Sequence, residues 1–433
     1  MIKEDLIHYY WHTGKLRQLH LKTTDGNTLK ILKPGTYNTN QGPDFLFAQI
    51  EIDGVIWNGH VEMHVHSSDW IKHKHDVDPN YATIILHVVW KHDKAIFLNH
   101  CEIPTLELFS LISDAEISTY QYLMNNIQQI PCSTLRSDVP MLTIHSQIES
   151  ASIERINSKT DLLLMQLSNN KSDWETLFYQ KFCHYLVTPV NSSAMSELTT
   201  KVTWSLLKKY LDDPFKMEAL LFGASGLLED PHNDPYLTKL KQEATFLINL
   251  HNINPMKKNS WNFLRLRPAH FPTIRLAQIA AFFHRNPNTF NNLLLLEHLK
   301  DIQTMFKVQA SEFWDMHYTF ENSTVKPSIK KLGSTIADSI LINVICPILY
   351  IYGEYIQDSV LKNKVLGFLE CIKAEENKFT RLWIKTGQKI ENARQSQGVL
   401  QQINEYCLKN ACLKCRIGHH LMNTNTPKEN III

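Results

Sequence analysis

Two strand-like stretches joined by Asp53-Gly54 constrain this chain more than any other feature. Phe45–Ile52 runs into the turn and Val55–His66 leaves it. Asp-Gly favours a two-residue hairpin because both positions tolerate left-handed backbone. Pairing about that turn sets residue 44 opposite residue 63. Asp44, in Gly42-Pro43-Asp44-Phe45, thereby becomes a register neighbour of Glu62, in Val61-Glu62-Met63-His64. Side chains alternate along a strand, so Glu62, His64 and His66 share one face and Val61, Met63 and Val65 take the other.

Carboxylates this close repel unless a cation or a proton lies between them. Mg²⁺ or Mn²⁺ suits such oxygen donors and keeps several waters. The ion would lower the pKa of a water and stabilise charge on a phosphate in transfer. His64 could orient that water or assist proton transfer. The pattern predicts carboxylate oxygens within about 6 Å of each other, room for one divalent ion. The plainer alternative is a polar sheet face with Asp44 capping a turn.

The neighbouring chain completes an α/β module over residues 1–110. A helix is predicted over 3–19, with Gly14 as its interruption, followed by a hairpin about Asp25-Gly26. Residues 36–43 read as a polar loop, and Ser68 or Asp69 as the cap of a short helix. The apolar run 83–90 reads as a strand buried on both faces, and 96–103 as an edge hairpin. From about residue 112 the apolar period becomes helical. Helices are predicted over 148–167, 174–186, 200–211, 215–223, 236–250, 273–283, 288–299, 336–352 and 360–373, with loops at 126–146 and 252–272. The fold class is therefore α+β: the module, a mostly α-helical domain over 111–422, and a tail over 423–433.

Pro43-Asp44, a hairpin and Glu62-Met63-His64 together resemble the PD-(D/E)xK nuclease pattern. The leading helix and the later helix and strand are similar to that fold's α-β-β-β-α-β core. The resemblance implies a restriction-endonuclease-like module and Mg²⁺- or Mn²⁺-dependent phosphodiester hydrolysis of DNA or RNA. It would make Asp44 and Glu62 metal ligands, offer the Met63 carbonyl, put His64 in the lysine position and make Glu4 an auxiliary acid. Histidine for lysine is a departure, because an ordinary imidazole is mostly uncharged at neutral pH. That departure supports the alternative of a non-catalytic binding or scaffold protein on a degenerate nuclease fold. Nearly the whole chain also resembles an uncharacterised family, domain of unknown function 2851, found mainly in Bacteroidetes. The segments that carry this likeness are Asn40-Gln41-Gly42-Pro43-Asp44-Phe45, Gly59-His60-Val61-Glu62-Met63-His64, Glu218-Ala219-Leu220-Leu221-Phe222-Gly223 and Arg265-Leu266-Arg267-Pro268-Ala269-His270.

A second constellation is Cys407-x₄-Cys412-x₂-Cys415-x₃-His419. Closely spaced thiolates suit Zn²⁺ or an iron–sulfur cluster. His419 is the leading fourth ligand, ahead of His420 and Cys101. The spacing also resembles iron–sulfur nucleases with three late cysteines and one distant one, which here would be Cys101 or Cys132. Packing cysteines on a terminal helix are the plain reading. Arg265 and Arg267, with Arg275, could meet successive phosphates, or serve interdomain ion pairing. His73-Lys74-His75 reads as a solvated loop that could join a phosphate-facing rim.

Lys+Arg number 44 against 43 Asp+Glu, so no global field draws polyanions and any nucleic-acid contact needs a local patch. No signal peptide is visible, and no stretch approaches ~18 consecutive apolar residues, so no membrane span is expected. The eight cysteines are then expected reduced, in a cytoplasmic protein. Walker, Rossmann, HExxH and G-x-S-x-G patterns are absent, against the commonest nucleotide-binding, zinc-protease and hydrolase classes. Protein partners are not specified.

Overall fold

A computed structural model describes residues 2–171, 173–228, 234–321 and 323–424. Two compact units emerge: residues 1–148 with 402–433, and residues 149–401. The change of period near residue 112 is therefore not the edge of a unit. The helix Asp114–Asn125, which comes after it, packs against the returning helix Arg416–Asn423 within the first unit. The predicted tail lies outside the described residues from 425 on.

The first unit opens with α1 (Glu4–His12), which buries Leu6, Ile7, Tyr9, Tyr10 and Trp11. The helix is shorter than expected because Gly14 turns left-handed (φ 74°) and starts a 3₁₀ turn. The strands are β1 (Leu21–Lys22), β2 (Thr28–Lys33), β3 (Thr36–Tyr37), β4 (Phe45–Ile52) and β5 (Val55–His66). After α2 (Asp69–Lys72) come β6 (Ile84–Lys91), β7 (Phe97–Leu98), β8 (Cys101–Glu102) and β9 (Thr105–Glu107). Among the described residues, one sheet runs β1-β2-β4-β5-β6-β9, with β3 also on β4. Pairs β2–β4 and β4–β5 are antiparallel, whereas β5–β6 and β6–β9 are parallel. Helix α3 (Asp114–Asn125) begins on a capping box between Ser113 and Glu116. The chain then leaves the unit along α4 (Met141–Asn169). The segment 126–146, read as loop, is partly helical, with a 3₁₀ turn at Ser133–Asp138.

The second unit is built of helices around one large apolar core. In it Glu218, 3% exposed, accepts hydrogen bonds from Tyr236 Oη at 2.6 Å and Trp314 Nε1 at 3.4 Å. Its 22-residue helical run Ser334–Tyr355 has the length and hydropathy of a membrane span, yet two thirds of the apolar window is buried in the protein. Burial in a core requires the same composition.

The β4–β5 hairpin turns on Asp53 (φ 46°) and Gly54 (φ 83°), and Ile52↔Val55 through Ala48↔Gly59 keep the expected register. A bulge then intervenes, and the next pair is Phe45↔Val61. Phe47 takes a left-handed conformation (φ 57°), and its N–H reaches His60 Nδ1 at 3.1 Å. Continuing that register sets residue 44 opposite 62 rather than 63. On the other side β5 runs very close to the start of β6. A Cβ on Gly59 would sit 2.4 Å from Thr83 O and 2.5 Å from Ile85 Cγ2. Gly59→Ala should therefore cost about 1–3 kcal/mol, the usual penalty of overpacking. Urea unfolding of the full chain measures it, and an unchanged midpoint would mean that β6 can yield.

Candidate metal centre

Asp44 and Glu62 are locked together through each other's backbone. The Asp44 N–H donates to Glu62 Oε2 at 3.1 Å, and the Met63 N–H donates to Asp44 Oδ2 at 3.0 Å. The bulge is what brings Asp44 into this position. Met63 and Val61 fill the core on the opposite face, 1% and 0% exposed. From α1, His8 Nε2 lies 3.2 Å from Asp44 Oδ2, an ion-pair distance with the hydrogen-bond angle unmet.

The second half of the site comes from the corner after β5. Asp93 pins that corner by accepting from Ser67 Oγ (2.8 Å), Ser68 N (2.9 Å) and Ser68 Oγ (2.7 Å). The Ser68 hydroxyl is thus not the helix cap that the sequence suggests. Trp70, fully buried, packs against the rings of His64, His75, Tyr81 and His87. Lys74 is left-handed (φ 62°) and reverses the chain between His73 and His75. Both histidines thereby come back to β5.

His75 Nε2 sits 3.3 Å and His64 Nε2 3.6 Å from Glu62 Oε1. His64 Nε2 is 3.0 Å from His73 Nδ1. Ligand atoms of His64, His73 and His75 all lie within 4.8 Å of one another. Donors bound tetrahedrally at ~2.0–2.1 Å stand about 3.3 Å apart, so the three histidines can draw in on one ion, with Glu62 beside two of them. His64 Nδ1 shares a 2.8 Å hydrogen bond with His87 Nε2, which fixes the ring's orientation, as an outer partner does in metal sites. The site is walled by buried His64 and opens at exposed His73.

Burial, then the neighbouring imidazoles, pull His64 down to about 2, and burial pulls His87 down to about 3. His64 is therefore neutral at physiological pH. It cannot supply the positive charge of a lysine, but it offers a lone pair. Glu62 is raised to about 7, by burial first; the His75 hydrogen bond opposes that and the Asp44 charge adds to it. Glu4 is also raised, by burial and then by Asp44. Burial works against protonation of His8, but Asp44 outweighs it and the imidazole is raised.

Two other expected groupings change. Arg265 and Arg267 are exposed, but Arg275 is 2% exposed and donates to Gln278 Oε1 at 2.7 Å with His270 Nδ1 at 2.9 Å. A buried guanidinium so engaged leaves the phosphate-binding set. Cys407, Cys412 and Cys415 are buried, but His419 Nε2 is bound to Leu413 O at 2.5 Å and its ring packs on Tyr9. Neither His419 nor the exposed Cys101 lines the space between them. His73 and His75, expected in a solvated loop, instead lie against His64 and Glu62. His-x-His after a strand was the available signal for them. A cleft of about 540 Å³ in the helical unit, between Phe306, Lys307, Lys331 and Asp338, holds none of the expected residues.

The fold and the site thus define an α+β protein with a buried carboxylate–imidazole centre at its sheet. Residues 4–378 match the family described as "Protein of unknown function (DUF2851)", and the chain belongs to it. No curated protein and no solved structure matches the chain.

A buried carboxyl raised from 4.5 to about 7 has a definite effect on stability. Between those values the unfolded chain has lost a proton that the folded protein keeps, so stability falls as pH rises through the window. In chelator, Glu62→Gln should be more stable than the parent at pH above about 7, by on the order of 2–3 kcal/mol. The gain should vanish below about pH 4.5. Urea titrations across this range measure the difference, and a pH-independent difference would contradict the assignment.

Proposed function

We propose that the first unit is a metal-dependent phosphodiester hydrolase acting on nucleic acid, centred on Asp44, Glu62, His64, His73 and His75. The observation that carries the reading is the cluster of three imidazoles, two of them against Glu62, beside Asp44 and open to solvent at His73. The order of α1, β2, β4, β5, α2 and β6, with β6 parallel to β5, supports a restriction-endonuclease-like framework. Three nitrogen donors suit Mn²⁺ or Zn²⁺ better than the Mg²⁺ that two carboxylates alone suggest. Such an ion would polarise the phosphoryl oxygen and acidify a water. His8 Nε2, held beside Asp44 Oδ2 with its proton favoured, is placed to give a proton to a leaving oxygen. Arg265 and Arg267, both exposed, are the phosphate contacts proposed for the second unit.

Cleavage of single- and double-stranded DNA and RNA, with Mg²⁺, Mn²⁺ or Zn²⁺ added singly, tests the reading. Turnover should appear with Mn²⁺ or Zn²⁺, and Asp44→Asn and Glu62→Gln should each lose at least about 10²-fold. The neutral His64 favours a second reading, a non-catalytic nucleic-acid-binding protein. Binding without cleavage under every metal would select it. Under either reading the double variant Arg265→Ala/Arg267→Ala should lower the log–log salt slope of binding by about 1.5–2. An unchanged slope would remove these arginines from the interface.

A further inference from the structure

Four buried cysteines of the first unit line one small space. Cys132, Cys407, Cys412 and Cys415 are 4–7% exposed, and they line a space of about 10 Å³ with Gln402 and Gly418. That is room for about one water, and a water would need two or more polar partners. All four are free thiols. Cys132 comes from the segment before α4, and the other three from the returning segment, spaced Cys407-x₄-Cys412-x₂-Cys415.

Burial pushes the thiols of Cys407, Cys412 and Cys415 up, and a few nearby donors partly oppose it. Gln402 Nε2 donates to Cys407 Sγ at 3.6 Å and to Cys415 Sγ at 3.4 Å. Its own oxygen accepts from Gln147 Nε2 at 2.8 Å, and Gln147 Oε1 accepts from Arg416 N at 3.0 Å. This relay fixes which end of the Gln402 amide meets the sulfurs. At Cys415 the backbone N–H groups of Gly418 and Ile417 work against that rise, and at Cys407 Gln402 and then the charge of Arg136, 3% exposed, do so. Residues 402–407 form a π-helical turn, in which Leu408 N and Ala411 N reach back five residues to Ile403 O and Tyr406 O. Such turns are frequent at functional sites. A Cβ on Gly418 would lie 2.0 Å from Cys412 O, so the returning helix closes tightly over the loop.

We propose that Cys132, Cys407, Cys412 and Cys415 form a four-thiolate metal centre that fastens the returning segment to the first unit. The shared chemistry is a thiophilic metal, as one Zn²⁺ or as an iron–sulfur cluster. As placed, no three of these sulfurs lie within 4.8 Å of one another among the described residues. Zinc would draw them to about 3.8 Å, whereas a cluster, with an iron for each thiolate, would need the space of about 10 Å³ to open around it. The centre is separate from the histidine site and stands whether or not that site is catalytic.

The test is metal and acid-labile sulfide analysis of the full chain, purified anaerobically without chelator. A His73→Gln background keeps zinc at the histidine site from being counted. About one zinc per chain without sulfide, or a brown protein with iron and matching sulfide, would support the centre and name its metal. Cys132→Ser and Cys412→Ser should weaken retention at least about tenfold, whereas Cys371→Ser and His419→Ala should keep it. Neither metal in the parent, or a full complement in Cys132→Ser, would overturn the proposal. The parent's content decides even if the cysteine variants do not fold.

Discussion

The paired hydrogen bonds between Asp44 and the Glu62 segment are the constraint around which the first unit is arranged. Each carboxylate accepts a backbone N–H of the other strand, so neither can rotate away without leaving a buried donor unpaired. Two carboxyl groups held this way in a half-buried site carry repulsion and lost hydration. The surrounding side chains answer that cost. His8 approaches Asp44, and His75 and His64 approach Glu62. The bulge at Phe47, the tight passage of β5 past Thr83 and the Asp93-pinned corner all serve to bring these groups to one place.

The site is costly to fold. His64 and His87 are buried and neutral, and His87 Nδ1 has no hydrogen-bond partner. Phe47 and Lys74 both occupy left-handed backbone, which favours glycine. Local rules are broken here more densely than in the helical unit's apolar core, as expected where a site rather than packing sets the geometry.

Local signals made the hairpin legible. Asp53-Gly54 fixed the turn, and alternation put Glu62 and His64 on one face. The bulge escaped because nothing in Leu46-Phe47 marks an inserted residue, and it moved Asp44 by one position. His73 and His75 escaped because their convergence depends on Trp70, Asp93 and one left-handed residue acting together. Gly14 was read as an interruption and is one. Strand β9 was missed because three residues give no period, and its partner is set by a parallel crossover. The three late cysteines are visible as a group in the sequence, but their distance from Cys132 gives no spacing by which to choose it over Cys101.

The first unit is discontinuous, and this bears on how it is made. Its first 148 residues leave the ribosome before the 253 residues of 149–401, and residues 402–423, with Gln402 and three cysteines, follow them. At about 5–20 residues per second the wait is roughly 13–50 s. During that time Cys132 and the face of α3 that receives Arg416–Asn423 have no partner. The nascent sheet must persist with one wall missing while the helical unit, continuous in sequence, can already close. Any copy that terminates within the helical unit would carry a complete hairpin and histidine cluster on an unfinished body.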